Sequence, residues 1–349
     1  MVRIGIIGLP QAGKSTLFDL FRRGGSERTG RHGERMAMAH VGDPRLEGLE
    51  GVYNPKKTTH VQIEVVDPPL GGTTSFSSRE TGRMRDLPGL LVVVRAFLNP
   101  ALPHPLGRID PLGDLSHLVQ EAAFQDLAQV EGALERIQGE LAKGLKDRLP
   151  VAHALERLHP TLSEGCFPSL SEEDEVLLAS FGLLTLKPWL VIFNLDEGDL
   201  GAGEAFLSEV QAEWPGITSC AGSIAVEGEI QELDAEDRRA FLEDLGLAEP
   251  LRDRLLREVI HSLGKQVFYT GGPTEVRAWL VPQGATAQEA AGAIHADLAR
   301  TFVRAERFPV DDLIRLGSEK AVKDAGSWSL LGREAVIGSR DCLLIRHTG

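Results

Sequence analysis

The chain has 349 residues, and its 37 Lys+Arg against 51 Asp+Glu give a formal charge of −14, which argues against a protein that coats nucleic acid but leaves room for a local basic patch. Its length exceeds one typical domain, so two or three are expected, each with its own core. Cys166, Cys220 and Cys342 form no C-x-x-C, no H-E-x-x-H occurs, and no apolar run approaches the ~18 residues of a membrane span; a disulfide frame, a zinc site and a membrane protein are therefore not expected.

The chain opens with "VRIGII", a buried strand rather than a charged-then-apolar signal peptide, so a cytoplasmic location is expected. It runs into "GLPQAGKST", which matches G-x-x-x-x-G-K-[ST] from Gly8 to Ser15, and "STLFDLF" then reads as the start of a helix. In such a loop, Gly8, Pro10, Gln11, Ala12, Gly13, Lys14, Ser15 and Thr16 wrap an anion with backbone N–H groups and the helix N-terminus. Lys14 supplies the charge that stabilises phosphate, and Ser15 supplies a hydroxyl for Mg²⁺. The polar, Gly-rich stretch 22 to 36 has no periodicity and reads as a mobile loop.

"THVQIEVVDPP" alternates, then becomes apolar before Asp67, as a strand entering a buried sheet does. Asp67 is the second candidate Mg²⁺ ligand, and "TTSFSSRETGRM" after it reads as flexible. "LPGLLVVVRAF" and "KPWLVIFNLDE" are two further buried strands. Strands alternating with helices imply α/β architecture with a mainly parallel sheet, whose ligands lie at the strands' carboxyl ends, where Gly8, Asp67 and Asn194 fall.

Between those two strands, Leu127, Val130, Leu134, Ile137 and Leu141 recur at intervals of three and four, and Val151, Leu155, Leu158 and Leu162 repeat the spacing. Two antiparallel helices in a coiled-coil hairpin are expected, serving either as packing on the nucleotide domain or as a partner-binding arm. Ser171 and Asp174 look like a capping pair. An acidic helical stretch spans residues 234 to 264, and "EVRAWLVPQGATAQEAAGAIHADLARTF" then reads as a strand, a turn and a helix opened by the capping box Thr286-x-x-Glu289. Arg300, Arg304 and Arg307 would share a face of that helix, either as a phosphate-backbone patch or as a solvated helix end.

Taken together and in order, "IGIIGLPQAGKSTLF", "GDPRLEGLEGVYNPKKTTHVQIEVVD", "DLAQVEGALERI", "LLTLKPWLVIFN", "EGEIQELDAEDRRAFLEDLGL" and "VFYTGGPTEVRAWLVPQGATAQEAAGAIHADLARTFVRAE" resemble the Obg-like ATPase (YchF) family of P-loop GTPase-like proteins along the whole chain. The resemblance implies a nucleotide domain at residues 1–113 and 181–265, a helical coiled-coil insertion at 114–180, and a TGS domain of ubiquitin-like β-grasp fold at 266–349. It also implies ATP in preference to GTP, weak hydrolysis, and contact with the ribosome or its RNA.

GTPases use Asn-Lys-x-Asp to read guanine, whose N1–H and 2-amino group donate to the terminal carboxylate. Here the stretch is Asn194-Leu195-Asp196-Glu197, so a longer Glu197 and an apolar Leu195 disfavour guanine, although Asp196 keeps a GTPase reading open. Ser223 occupies the place of the family's Ser-Ala-Lys base loop, with the lysine replaced by Ala225. The second switch reads Asp67-Pro68-Pro69-Leu70-Gly71-Gly72, which lacks the expected Asp-x-x-Gly, and Val92 stands where the family carries a histidine implicated in hydrolysis. In the first switch, Thr29 is a weak candidate for a metal hydroxyl, and His32 and His40 lie near. The readings carried forward are an ATP- and Mg²⁺-binding protein that hydrolyses slowly if at all, an interaction module regulated by nucleotide, and a GTPase.

Overall fold

The computed structural model describes residues 2–23, 26–30, 33–68 and 74–348, and they fall into two compact units. The first comprises residues 1–39 and 64–259, and the second residues 40–63 and 260–349.

A seven-stranded sheet runs in the order Glu27–Thr29, Arg35–His40, Gln62–Asp67, Val2–Ile7, Leu90–Ala96, Trp189–Leu195 and Thr218–Gly222. The last four strands pair in parallel, with Ile7 opposite Val92, Arg95 opposite Asn194, and Asn194 opposite Gly222. Leu90–Ala96 and Trp189–Leu195 are almost wholly buried, so their sequences are continuous apolar runs rather than alternating ones. Val2–Ile7 lies inside the sheet, and the chain departs to opposite sides of it. That reversal places a crevice at the carboxyl ends of the strands, where Gly8, Asp67 and Asn194 emerge.

Two segments expected to be irregular are ordered elements. Within 22–36, Glu27–Thr29 pairs antiparallel with Arg35–His40. The hairpin escaped detection because it carries ion pairs such as Arg35–Glu27 where an apolar alternation would be the signal. After the second switch, Ser78–Arg85 is a helix opened by a capping box in which the Ser77 hydroxyl accepts from the Glu80 N–H and Glu80 accepts from the Ser77 N–H. Its mean hydropathy is low, and Glu80, Thr81 and Met84 are its buried residues. Pro69, Leu70, Gly71 and Gly72 lie outside the described residues, as does His32.

The helix Pro111–Ala142 is capped by Asp110 and packs along Leu149–Ser163. Leu127, Val130, Leu134, Ile137 and Leu141 share one apolar cluster with Val151, Leu155, Leu158 and Leu162, which is the seam their spacing predicts. The Ser171 hydroxyl accepts from the Asp174 N–H and opens Glu172–Leu178.

In the second unit, a six-stranded sheet runs Ser329–Leu331, Phe302–Pro309, Asp341–His347, Lys265–Thr270, Val276–Pro282, Thr58–Thr59. Its core is Phe268, Val281, Phe302 and Leu343 under the helix Ala287–Ile294, whose capping box joins Thr286 and Glu289 as their spacing predicts. The outer strand comes from far upstream: Thr58 pairs with Val276 and Thr59 with Arg277. The helix Pro44–Tyr53 belongs here too, with the Tyr269 hydroxyl donating to Asp43 at 2.6 Å and the Tyr53 hydroxyl donating to Glu319 at 2.9 Å. Residues 40–63 therefore cluster with the C-terminal unit, whereas the resemblance implied that they belong with residues 1–39.

The arginine face is likewise revised. The helical turn Ala296–Arg300 ends at Arg300, while Arg304 and Arg307 lie on the strand Phe302–Pro309, three residues apart and so on opposite faces. Arg300 pairs with Asp297 and Arg307 with Asp341, so no shared patch forms.

Candidate functional site

The loop between Val2–Ile7 and the helix Lys14–Arg22 holds conformations that glycine supplies. Gly8 has φ +145°, and a Cβ on it would lie 2.3 Å from the Val93 carbonyl oxygen of the neighbouring strand. Gly13 caps the helix at φ +104°, and its Cβ would lie 2.6 Å from Asn194 Nδ2. The first amides of the helix have no intrahelical acceptor, because the first such bond is Leu17 N–H to Gly13 O at 2.9 Å. Two glycines packed tightly against neighbouring strands set the shape of the loop, and the free N–H groups at its helix N-terminus fit a phosphate.

Lys14 Nζ donates to Gly8 O at 2.9 Å and to Leu9 O at 2.6 Å. Burial lowers its pKa to about 8, against the opposing pull of Asp67. An incoming phosphate favours the charged ammonium, so the bound pKa lies above 8 and binding takes up a proton at more alkaline pH. Nucleotide affinity is accordingly expected to be flat below pH 7 and to fall as pH rises through 8. Calorimetric titrations at pH 7 and pH 9 in buffers of different ionisation enthalpy check both the sign and the proton uptake.

Asn194 is buried and spans two loops: its Nδ2 donates to Ala12 O at 3.1 Å, and its Oδ1 accepts from Ile224 N–H at 3.0 Å. It positions the walls of the site and has both ends of its side chain committed to backbone. Ser223 is also buried, with its hydroxyl accepting from Val226 N–H to cap Ile224–Ile230, and it is not among the residues that line the cavity.

A cavity of about 440 Å³ opens over the loop, lined on the phosphate side by Gln11, Gly13, Lys14, Ser15 and Thr16. The far end is Phe97, Asn99, Leu102, Leu195, Asp196, Ile224 and Ala225, an apolar slot with two polar side chains. Glu197 is exposed in the 3₁₀ turn Glu197–Ala202 and does not line the cavity, so the carboxylate facing it is that of Asp196. Asp196 Oδ2 accepts from Leu98 N–H at 3.2 Å, which ties the two walls together. Gly8, Pro10 and Ala12 shape the loop without lining the cavity.

The wall at 97–102 is organised by a residue whose role the sequence did not reveal. Arg95 is 2% exposed and donates to three carbonyls: Phe97 O at 3.2 Å, Leu102 O at 2.9 Å and Asn99 O at 3.3 Å. Its guanidinium also lies 4.6 Å from the Phe97 ring centroid. A charged residue ending a run of five apolar ones was the available signal, because a buried arginine must find acceptors.

Asp67 ends its strand beside Lys14. Burial raises its pKa, and Arg35 and Lys14 pull it back. Asp67 does not line the cavity but is close enough to Lys14 for their charges to interact, and with the Ser15 hydroxyl at the helix start it fits a Mg²⁺ held mainly by phosphate oxygens and water. Among the described residues, no group of three or more His, Cys, Asp or Glu could hold a metal without such help. Thr29 is exposed at the end of its strand opposite Arg35, and His40 meets Gln62 at 3.1 Å; neither lines the cavity. Val92 is fully buried in the sheet core.

Comparison with known proteins places the chain in a lineage. The chain is 34% identical to the ribosome-binding ATPase YchF of Haemophilus ducreyi, over 99% of its own length and 98% of that protein's. The chain belongs to the YchF family. It is 32% identical to the protein of the same name from Bacillus subtilis, over 98% of both chains. A solved structure titled the Schizosaccharomyces pombe YchF GTPase superposes with a TM-score of 0.83 at 25% identity, over 99% of this chain and 97% of that one. A family profile described as YchF-GTPase_C, protein of unknown function (DUF933), matches residues 266–348. No helix among the described residues is long and apolar enough to cross a membrane.

Proposed function

We propose that this YchF-family protein binds ATP with Mg²⁺, in preference to GTP, and hydrolyses it slowly in association with the ribosome. The observation that carries the nucleotide reading is the loop shaped by Gly8 and Gly13, whose residues Gly13 to Thr16 border a cavity of about 440 Å³. The relatives from H. ducreyi and B. subtilis, both named ribosome-binding ATPases, support the choice of nucleotide and of partner. We assign ribosome contact to the helical pair, Pro111–Ala142 with Leu149–Ser163, and to the C-terminal unit, which we take to be the TGS domain.

The chain's own groups divide the work. Lys14 leaves the carbonyls of Gly8 and Leu9 for the β- and γ-phosphates, while the amides of the helix start hold the same oxygens. Ser15 and Asp67 would hold Mg²⁺, which neutralises phosphate charge when bound. Arg95 and Asp196 fix the wall that receives the base. Guanine needs a carboxylate that accepts from N1–H and the 2-amino group; Glu197 does not line the cavity, and one oxygen of Asp196 is already engaged by Leu98 N–H. A buried donor left unpaired costs about 1–3 kcal/mol, roughly 5- to 150-fold in affinity.

For slow turnover we rely on the family resemblance, in which Val92 stands at a histidine position and offers no group to orient water; loss of one such group costs roughly two to three orders of magnitude. Competition calorimetry between ATP and GTP tests the reading: tighter ATP binding is expected. Tighter GTP binding favours the guanine reading through Asp196, and absence of both discards nucleotide binding.

A further inference from the structure

The hairpin that replaces the expected loop brings an arginine to the metal side of the site. Arg35 begins the strand Arg35–His40, and its guanidinium lies 4.3 Å from the Phe18 ring centroid, over the helix that follows the phosphate loop. Its three nitrogens address three carboxylates. Nη2 donates to Asp19 Oδ1 at 2.6 Å, Nε donates to Glu27 Oε1 at 3.2 Å, and Nη1 stands 3.6 Å from Asp67 Oδ2. Arg22 supports the same pair, 3.4 Å from Asp19 and 3.5 Å from Glu27. Arg35 is thus held by Asp19 and Glu27 at ion-pair distance from Asp67 but beyond hydrogen-bond reach, which leaves the Asp67 lone pairs open.

We propose that Arg35 is a positioning residue of the metal site, the resident counter-charge of Asp67 in the nucleotide-free protein, and that it sets the Mg²⁺ concentration at which nucleotide binds. The inference rests on the nucleotide-binding reading above. Its physical content is a pair of effects with opposite sign. A divalent ion held by Asp67 sits close to the guanidinium, and like charges repel, so Arg35 weakens the metal. Without metal, the same cation lies near phosphates arriving at Lys14, so Arg35 strengthens nucleotide binding. All three nitrogens are directed at carboxylates, which assigns Arg35 to holding charge at this site and not to contacting the transferred phosphoryl group.

The test titrates a fluorescent adenine nucleotide into the full-length protein by anisotropy, in EDTA and across a series of Mg²⁺ concentrations. Arg35→Gln is expected to weaken metal-free binding roughly three- to tenfold and to lower the Mg²⁺ concentration at half-effect by a similar factor, the scale of one partly screened charge at this range. Arg35→Lys keeps the charge and restores the wild-type Mg²⁺ response in part. Asp19→Asn releases Arg35 toward Asp67 and is expected to raise the Mg²⁺ requirement. A loosened hairpin alone would weaken binding in both conditions together, so parallel shifts in Arg35→Gln, or no shift, overturn the proposal. Wild-type protein that binds no nucleotide in either condition overturns both this inference and the reading beneath it, which separates the two failures.

Discussion

Lys14→Ala is expected to weaken ATP binding roughly 30- to 150-fold, about 2–3 kcal/mol, without lowering the stability of the nucleotide-free protein. The first half follows from the loss of a charged donor that phosphate alone can recruit fully. The second follows from linkage. The folded pKa of about 8 lies below the unfolded value of 10.5, so the native state binds the Lys14 proton less tightly than the unfolded chain does. That penalty is complete below pH 8 and fades as pH rises toward 10.5. At pH 7 alanine therefore removes a cost, and denaturant melts of the variant should match or exceed wild type. Calorimetry supplies the affinity, and a melt that collapses with it would show that Lys14 supports the loop itself.

Gly8→Ala is expected to have the largest effect on stability. A Cβ at 2.3 Å from a carbonyl of Leu90–Ala96 cannot be relieved by a side-chain rotation, because the obstacle is backbone in a fully buried strand. The φ of +145° adds strain of its own. Together they amount to about 3–5 kcal/mol, measured as a lower midpoint in urea unfolding. Gly198→Ala is the control. No atom lies within 4 Å of a Cβ there, so a change within about 0.5 kcal/mol is expected.

What could be read from residues alone was set by the range of the physics involved. The phosphate loop is local: strand, glycines, lysine and helix follow one another, so Gly8 to Thr16 were legible as a unit. Asp67 and Asn194 were legible because each directly follows the apolar residues near the end of a strand, and in parallel sheets such ends converge. The seam of the helical pair was legible through its period. Arg95 and Arg35 were not, because their partners are backbone carbonyls or carboxylates whose proximity depends on the fold. Asp196 lines the cavity and Glu197 does not, a difference of one residue set by where Trp189–Leu195 stops and the 3₁₀ turn begins, which the sequence does not show. The Ser77–Glu80 cap was present in the sequence, but the polar surroundings masked it.

The upstream strand Thr58–Thr59 has a practical meaning for anyone who would isolate the C-terminal unit. The stretch 266–348 matches a family profile by itself, yet its ladder is completed by residues more than two hundred positions earlier. A chain cut at residue 265 would leave the outer edge of Val276–Pro282 unpaired and open to another chain. It would also strip the buried Tyr269 hydroxyl of Asp43, and Glu319 of Tyr53. The unit's heredity and its folding thus have different borders. A fragment meant to report on its binding partners would have to carry residues 40–63 along with it.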